Sequence, residues 1–209
     1  MEPDRRVPGA ASGPRARPAI PSHPMTADLA LEERLIDIDL QAAASGDHPG
    51  AARHLERLAA RQHPGQRAQY LVTAGVQWGL AGDPDKELAA YRAATTDGGS
   101  AFPDARAYLA GALLKAGEEA AARELFEQLH RERPRDPDVY LLVGEALEAH
   151  GDLAGAIRWF TCGLLRAESY GSDFDVLYLA RSRWRARAAA GLPEDDFHAA
   201  AAFAFIGAG

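Results

Sequence analysis

The chain has one cysteine, Cys162, so no disulfide can close within its 209 residues. It has no run approaching about 18 consecutive apolar residues, the length that would read as a membrane span. No segment alternates apolar and polar residues with a period of two, so strands are not expected. Lysine is nearly missing: Lys86 and Lys115 stand beside 21 arginines. With heavy alanine and glycine use, that bias points to a GC-rich, actinobacteria-like bacterial source. Recognisable catalytic motifs are missing too, whether a GxxxxGK[ST] phosphate loop, a GxGxxG turn after a strand or a nucleophile elbow. The seven histidines do not fall at ligand spacing with acids or thiols, and His48 and His54, six apart, suit a metal poorly. These absences predict no catalytic residue, no cofactor and no metal site, and hence no enzyme. A net charge of −7 and a pI near 5.5 argue against nucleic acid as a partner, because phosphate contacts supply most of such affinity.

What the chain does have is a repeat with a step of 34 residues. With Pro137 as position 1, Tyr140, Val143, Gly144, Leu147, Gly151, Ala156 and Phe160 fall at positions 4, 7, 8, 11, 15, 20 and 24. One step earlier, from Pro103, positions 7, 8, 11, 15, 20 and 24 hold Leu109, Ala110, Leu113, Gly117, Ala122 and Phe126. A looser unit from Ala68 contains Leu71, Ala74, Gly75, Trp78, Gly82, Leu88 and Tyr91, with Glu87 at position 20, where the other two have alanine. Another begins near Glu32, with Leu35, Ile38, Ala42, Gly46, Ala51, Leu55 and Leu58 in register. Positions 4, 7, 8 and 11 share one helix face, which predicts an apolar stripe on each first helix. Gly46, Gly82, Gly117 and Gly151 read as helix-ending glycines, and Asp136-Pro137 as an N-cap with proline in the first turn. The small residues Gly144 and Ala156 mark close helix approach. Phe126 and Phe160 are expected to fill the gap between units, and Cys162 to act as small apolar filler beside Phe160.

This pattern resembles the tetratricopeptide repeat family, closely over Pro103–Glu168 and more loosely back to about residue 28. The resemblance implies an all-α, right-handed α-solenoid of stacked antiparallel hairpins: about four units, at 28–64, 68–98, 103–135 and 137–168, then capping helices over 171–206. In such arrays each unit buries its apolar face only against its neighbours. The resemblance also implies a groove lined by first-helix positions 2, 5, 6, 9, 12 and 13. On this chain those are Ile36, Asp37 and Leu40, then Val72, Thr73 and Val76. They continue through Asp104, Tyr108 and Lys115 to Asp138, Leu141, Leu142, Glu145 and Glu148. That surface is apolar with an acidic tilt. Family members that grip a chaperone's terminal carboxylate use a cluster of Lys, Arg and Asn there, whereas here only Lys115 carries that charge. An apolar or basic helix or extended segment fits such a groove better.

The two ends are different material. Residues 1–25 are rich in proline and arginine, with almost nothing large and apolar, so they are expected to be disordered. They lack the apolar stretch of a secretory signal, and translation starting at Met25 is the alternative to a basic arm. Near the other end, Ser172 and Asp175 have capping-box spacing before a helix running to Gly191. Leu192-Pro193-Glu194 is expected to open a last helix through Phe203, with Asp195 and Asp196 in its first turn. Arg181, Arg183, Arg185 and Arg187, with Trp184 among them, are expected on the exposed side of the capping helix. They form either a solvated cap or a second patch for an acidic peptide or phosphate-bearing ligand. The expected function is a cytoplasmic, non-catalytic scaffold binding another protein or peptide, or a second copy of itself. Nucleic-acid or acidic-ligand binding through the arginine-rich helix is the alternative.

Overall fold

The computed structural model describes residues 24–97, 99–170 and 173–195, and within them every regular element is an α-helix. The helices run α1 (Pro24–Ser45), α2 (His48–Ala59), α3 (Pro64–Leu80), α4 (Pro84–Thr96), α5 (Ala105–Lys115), α6 (Glu119–Glu132), α7 (Pro137–Ala149), α8 (Leu153–Tyr170) and α9 (Asp173–Ala189). From α2 to α6, and again from α7 to α9, each helix packs on the one that follows it. The odd-numbered helices also touch one another in sequence order, α1 on α3, α3 on α5, α5 on α7 and α7 on α9. That is the architecture of a helical-repeat solenoid, with its contacts local along the chain. The expected disorder of residues 1–25 falls almost wholly on residues outside the described part, as do Ser172, Asp196 and the remainder of the expected last helix. Residues 192–195, where that helix was expected to begin, are irregular rather than helical.

Local chemistry explains why the helices start and stop where they do. Asp47, Asp83, Asp104 and Asp136 each sit at an N-cap, and each side chain accepts a first-turn backbone N–H. Asp152 does the same for α8, accepting from Gly155 N at 2.8 Å. Such caps satisfy donors that have no partner inside the helix. At the other ends, Gly117 and Gly151 adopt φ of 79° and 91°, a left-handed conformation that costs glycine nothing. After each glycine the chain donates back into the last turn, Glu118 N to Leu113 O and Asp152 N to Leu147 O, both at 2.9 Å. These bonds close the helix and reverse the chain into the next one.

Inside the hairpins, the repeat positions meet as large-on-small pairs. Phe160 on α8 is fully buried over Gly144 on α7, and a Cβ built at Gly144 would lie 2.2 Å from the Phe160 ring. Tyr91 covers Gly75 in the same way two units earlier. Phe160 therefore packs within its own hairpin as well as into the shared core. Phe126 matches the expected role of bridging units, since its ring faces Trp159 of the next hairpin at 6.3 Å. Trp159 also takes His130 and Tyr140 against its ring, at 5.7 and 5.5 Å. Cys162 is half-buried against this core.

Glu87, the odd residue at position 20, is only 6% exposed. Its Oε1 accepts from Lys115 Nζ at 2.9 Å, and Gly79 beneath it leaves the room a side chain would fill. Lys115→Met should therefore destabilise the fold by about 1–3 kcal/mol, by leaving a buried carboxylate without its cation. Adding Glu87→Ala, which restores the residue found in the later units, should recover most of that loss. Urea midpoints of the two proteins test this; a double variant no more stable than Lys115→Met would contradict it.

Candidate functional site

The first helices bring side chains from α1, α3 and α5, together with the α4–α5 loop, around a cleft of about 650 Å³. Ile36, Val72, Thr73, Val76 and Tyr108, all expected in the groove, line it. Asp37 and Leu40 were expected beside Ile36, but they lie exposed outside the cleft, and Asp39 lines it instead. The difference is one of helical phase: α1 turns residues 32, 35, 36 and 39 toward α3. Phe102, in the loop before α5, lines the same cleft with 74% of its surface open to solvent. Its backbone N–H is held by Gln69 Oε1 at 2.8 Å, which fixes the loop against α3. Nothing periodic in the sequence marks Phe102, because loop residues carry no helical phase.

Asp39 is tied into a polar chain at the cleft edge. Gln77, buried on α3, donates from Nε2 to Asp39 Oδ1 at 2.8 Å. Its Oε1 lies 2.8 Å from His48 Nδ1 at the start of α2. Burial raises the Asp39 pKa above the ordinary carboxylate value, although the Gln77 hydrogen bond opposes the shift.

Beyond the cleft the same face becomes acidic. The Tyr108 phenol is pushed up to about 12 by burial, then by the negative charges of Asp138, Asp136 and Asp39. Tyr108 thus stands between the apolar cleft and the carboxylates. Asp138 is raised by burial and by repulsion from Asp136 and Asp175. Asp136 is raised by burial and by Asp175 and Asp104, against the hydrogen bond it accepts from Asp138 N. Glu145 is raised as well, burial and Glu148 together outweighing the pull of Arg185. Leu141 and Leu142 lie half-buried on the same helix.

The cations nearby are already engaged. Lys115 holds Glu87, and Arg106 bridges Asp104 at 2.7 Å and Glu132 at 2.6 Å. Burial alone would raise Asp104, but its hydrogen bonds to the Arg106 side chain and backbone hold its carboxyl below the usual range. Arg185 grips Glu148 through two bonds of 2.9 and 2.6 Å. Asp104, Lys115 and Glu148 are therefore paired within the chain, while the Asp138 and Glu145 carboxylates make no ion pair with a described residue.

The arginine-rich α9 departs from expectation. Arg181 and Arg185 are exposed, and Trp184 is 48% exposed. Arg183, expected on the exposed side, is 6% exposed. Its guanidinium bonds Asp195 at 2.9 and 2.5 Å, and its Nε donates to Thr161 Oγ1 at 2.8 Å. Arg187 also reaches Asp195, at 3.2 Å. Arg183 and Arg187 share a face, as their spacing of four requires, but that face turns toward α8 and the segment after α9. The four arginines do not form one basic patch.

A further cleft of about 680 Å³ opens between α6 and α8. Its floor is closed by buried Phe126 and Trp159; of the arginines that line it, Arg123 and Arg131 pair with Glu119 and Glu127, while Arg158 makes no ion pair with a described residue. It shows less unbalanced charge than the first-helix face. Among the described residues no group of three acids, histidines or cysteines could hold a metal, and no helix is long and apolar enough to cross a membrane.

Comparison with known proteins adds one match. Residues 113–161, from the end of α5 through the first half of α8, fit the family described as Tetratricopeptide repeat. No curated protein and no solved structure matches the chain. The matched segment spans the α5–α6 turn, Phe126, Gly144 and Phe160, the residues that carry the hairpin packing described above. Repeats of this family generally mediate protein–protein interaction. Residues 113–161 thus match a tetratricopeptide repeat, and that segment is embedded in a longer all-helical stack of hairpins of the same architecture.

Proposed function

We propose that this chain is a non-catalytic interaction scaffold, and that the face of its first helices receives a helix or extended segment of another protein. One observation carries this: an open apolar cleft and a set of unpaired carboxylates share one face, while the local cations are already tied to other acids. A surface meant only for solvent has no need of a 74% exposed phenylalanine beside a cleft of about 650 Å³. Carboxylates whose pKa values are raised by burial and mutual repulsion are ill-placed for the isolated chain and well placed for a partner that brings positive charge.

Asp138→Lys combined with Glu145→Lys tests the proposal, because both residues are exposed and neither ion-pairs within the described chain. Glu148 is left intact, since reversing it would break its bonds to Arg185. Crosslinking capture from native cells should lose its specific partners at least about 10-fold with this variant, while the circular dichroism spectrum stays unchanged. The same partners captured at the same level would refute the face as the binding site.

A further inference from the structure

We infer that the segment received by this face is basic and anchored at Tyr108: a lysine or arginine side chain lies beside Tyr108 and Asp39, on the side of the acidic start of α7, and an adjacent large apolar residue enters the cleft against Phe102 and Ile36. The inference rests on the proposed use of this face and adds the chemistry of its occupant. Charge complementarity is the reason. Asp39 from α1 lines the cleft together with Tyr108, and Asp136 and Asp138, joined by the Asp138 N–H to Asp136 Oδ1 bond at the start of α7, add negative charge that also acts on the Tyr108 phenol. Among the described residues Gln77 alone donates a side-chain hydrogen bond to Asp39, and it is neutral. Asp138 has no cationic partner among the described residues.

A cation placed there is attracted by the carboxylates through its charge and can hydrogen-bond to them. The cleft beside it supplies the apolar contact. Ile36 and Phe102 are half or more exposed on its rim, and Val72 and Val76 line its wall. An acidic segment would bring like charges against these carboxylates, and a purely apolar one would leave them desolvated without partners. The local geometry therefore selects a short motif, one cation beside one large apolar side chain.

Selection of a random-peptide library on the full chain, followed by fluorescence-polarisation titration of the recovered peptides, tests the inference. The expected peptides pair lysine or arginine with a neighbouring large apolar residue. Their affinity should fall at least about 10-fold with Asp138→Lys, and similarly with Phe102→Asp; both positions are exposed, so the fold is spared. Affinity should also fall as salt rises from 50 to 500 mM. Acidic or uncharged peptides that still lose binding with Phe102→Asp would overturn the basic motif while leaving the face as the site. Peptides indifferent to both substitutions would overturn the face itself, and a selection that yields no binder would count against the motif. Displacement of the recovered peptides by a synthetic peptide of residues 1–23, which holds Arg5, Arg6, Arg15 and Arg17, would assign the site to the chain's own amino-terminal segment instead.

Discussion

Phe160→Ala is expected to cost about 3–5 kcal/mol of stability, because it empties the most tightly enclosed aromatic position of the stack. Phe160 is fully buried, and its ring lies against Gly144 so closely that any Cβ there would stand 2.2 Å away. The two positions should therefore be coupled. Gly144→Ala alone forces the ring or a helix to move, a cost of about 1–3 kcal/mol. In the Phe160→Ala background the ring is gone, and alanine exceeds glycine in helix propensity by about 1 kcal/mol. Gly144→Ala should then turn from harmful to neutral or stabilising. Urea unfolding of the four proteins gives the coupling directly. Additive effects would mean that α7 and α8 do not meet at this pair.

The second large effect is expected at Arg183. Its guanidinium is enclosed between Thr161 on α8 and Asp195 beyond α9, with three bonds between 2.5 and 2.9 Å. Removing one partner of a fully buried ion pair typically costs about 3–5 kcal/mol, and here the carboxylate left behind would be only partly buried, Asp195 being 29% exposed. Arg187 remains within 3.2 Å of Asp195, which places Arg183→Ala toward the lower end of that range. Arg183→Met with Asp195→Leu should recover much of the loss by replacing charge with packing. Thermal melts and the rate of proteolysis after α9 report the outcome. A loss below about 1 kcal/mol, the value of a surface pair, would show the guanidinium to be solvated.

These particulars show which parts of the molecule are legible in sequence. The hairpins are legible because helix ends carry local signals, aspartates whose side chains cap the next helix and glycines of positive φ, and the two coincide at Gly46-Asp47, Gly82-Asp83 and Gly151-Asp152. Gly144 and Phe160 are legible as a small and a large residue 16 apart, although their direct contact is not. The Glu87–Lys115 pair is not legible. Position 20 looks degenerate and Lys115 looks like a lone groove cation, because a separation of 28 residues matches no local spacing. Helical periodicity puts Arg183 and Arg187 on one face but cannot say whether that face turns inward, since only the position of Asp195 decides it. The repeat pattern points to Asp37 instead of Asp39 because the first unit is loose and its helical phase little constrained. Phe102 carries no periodic signal because it stands in a loop.

The most direct test of groove recognition is hydrogen–deuterium exchange on the full chain with and without a saturating selected peptide. Slower exchange is predicted along α1, α3, α5 and α7, centred on Phe102 and Tyr108, with α6 and the first half of α8 unchanged. Protection confined to α6 and α8, or no change in any first helix, would contradict it.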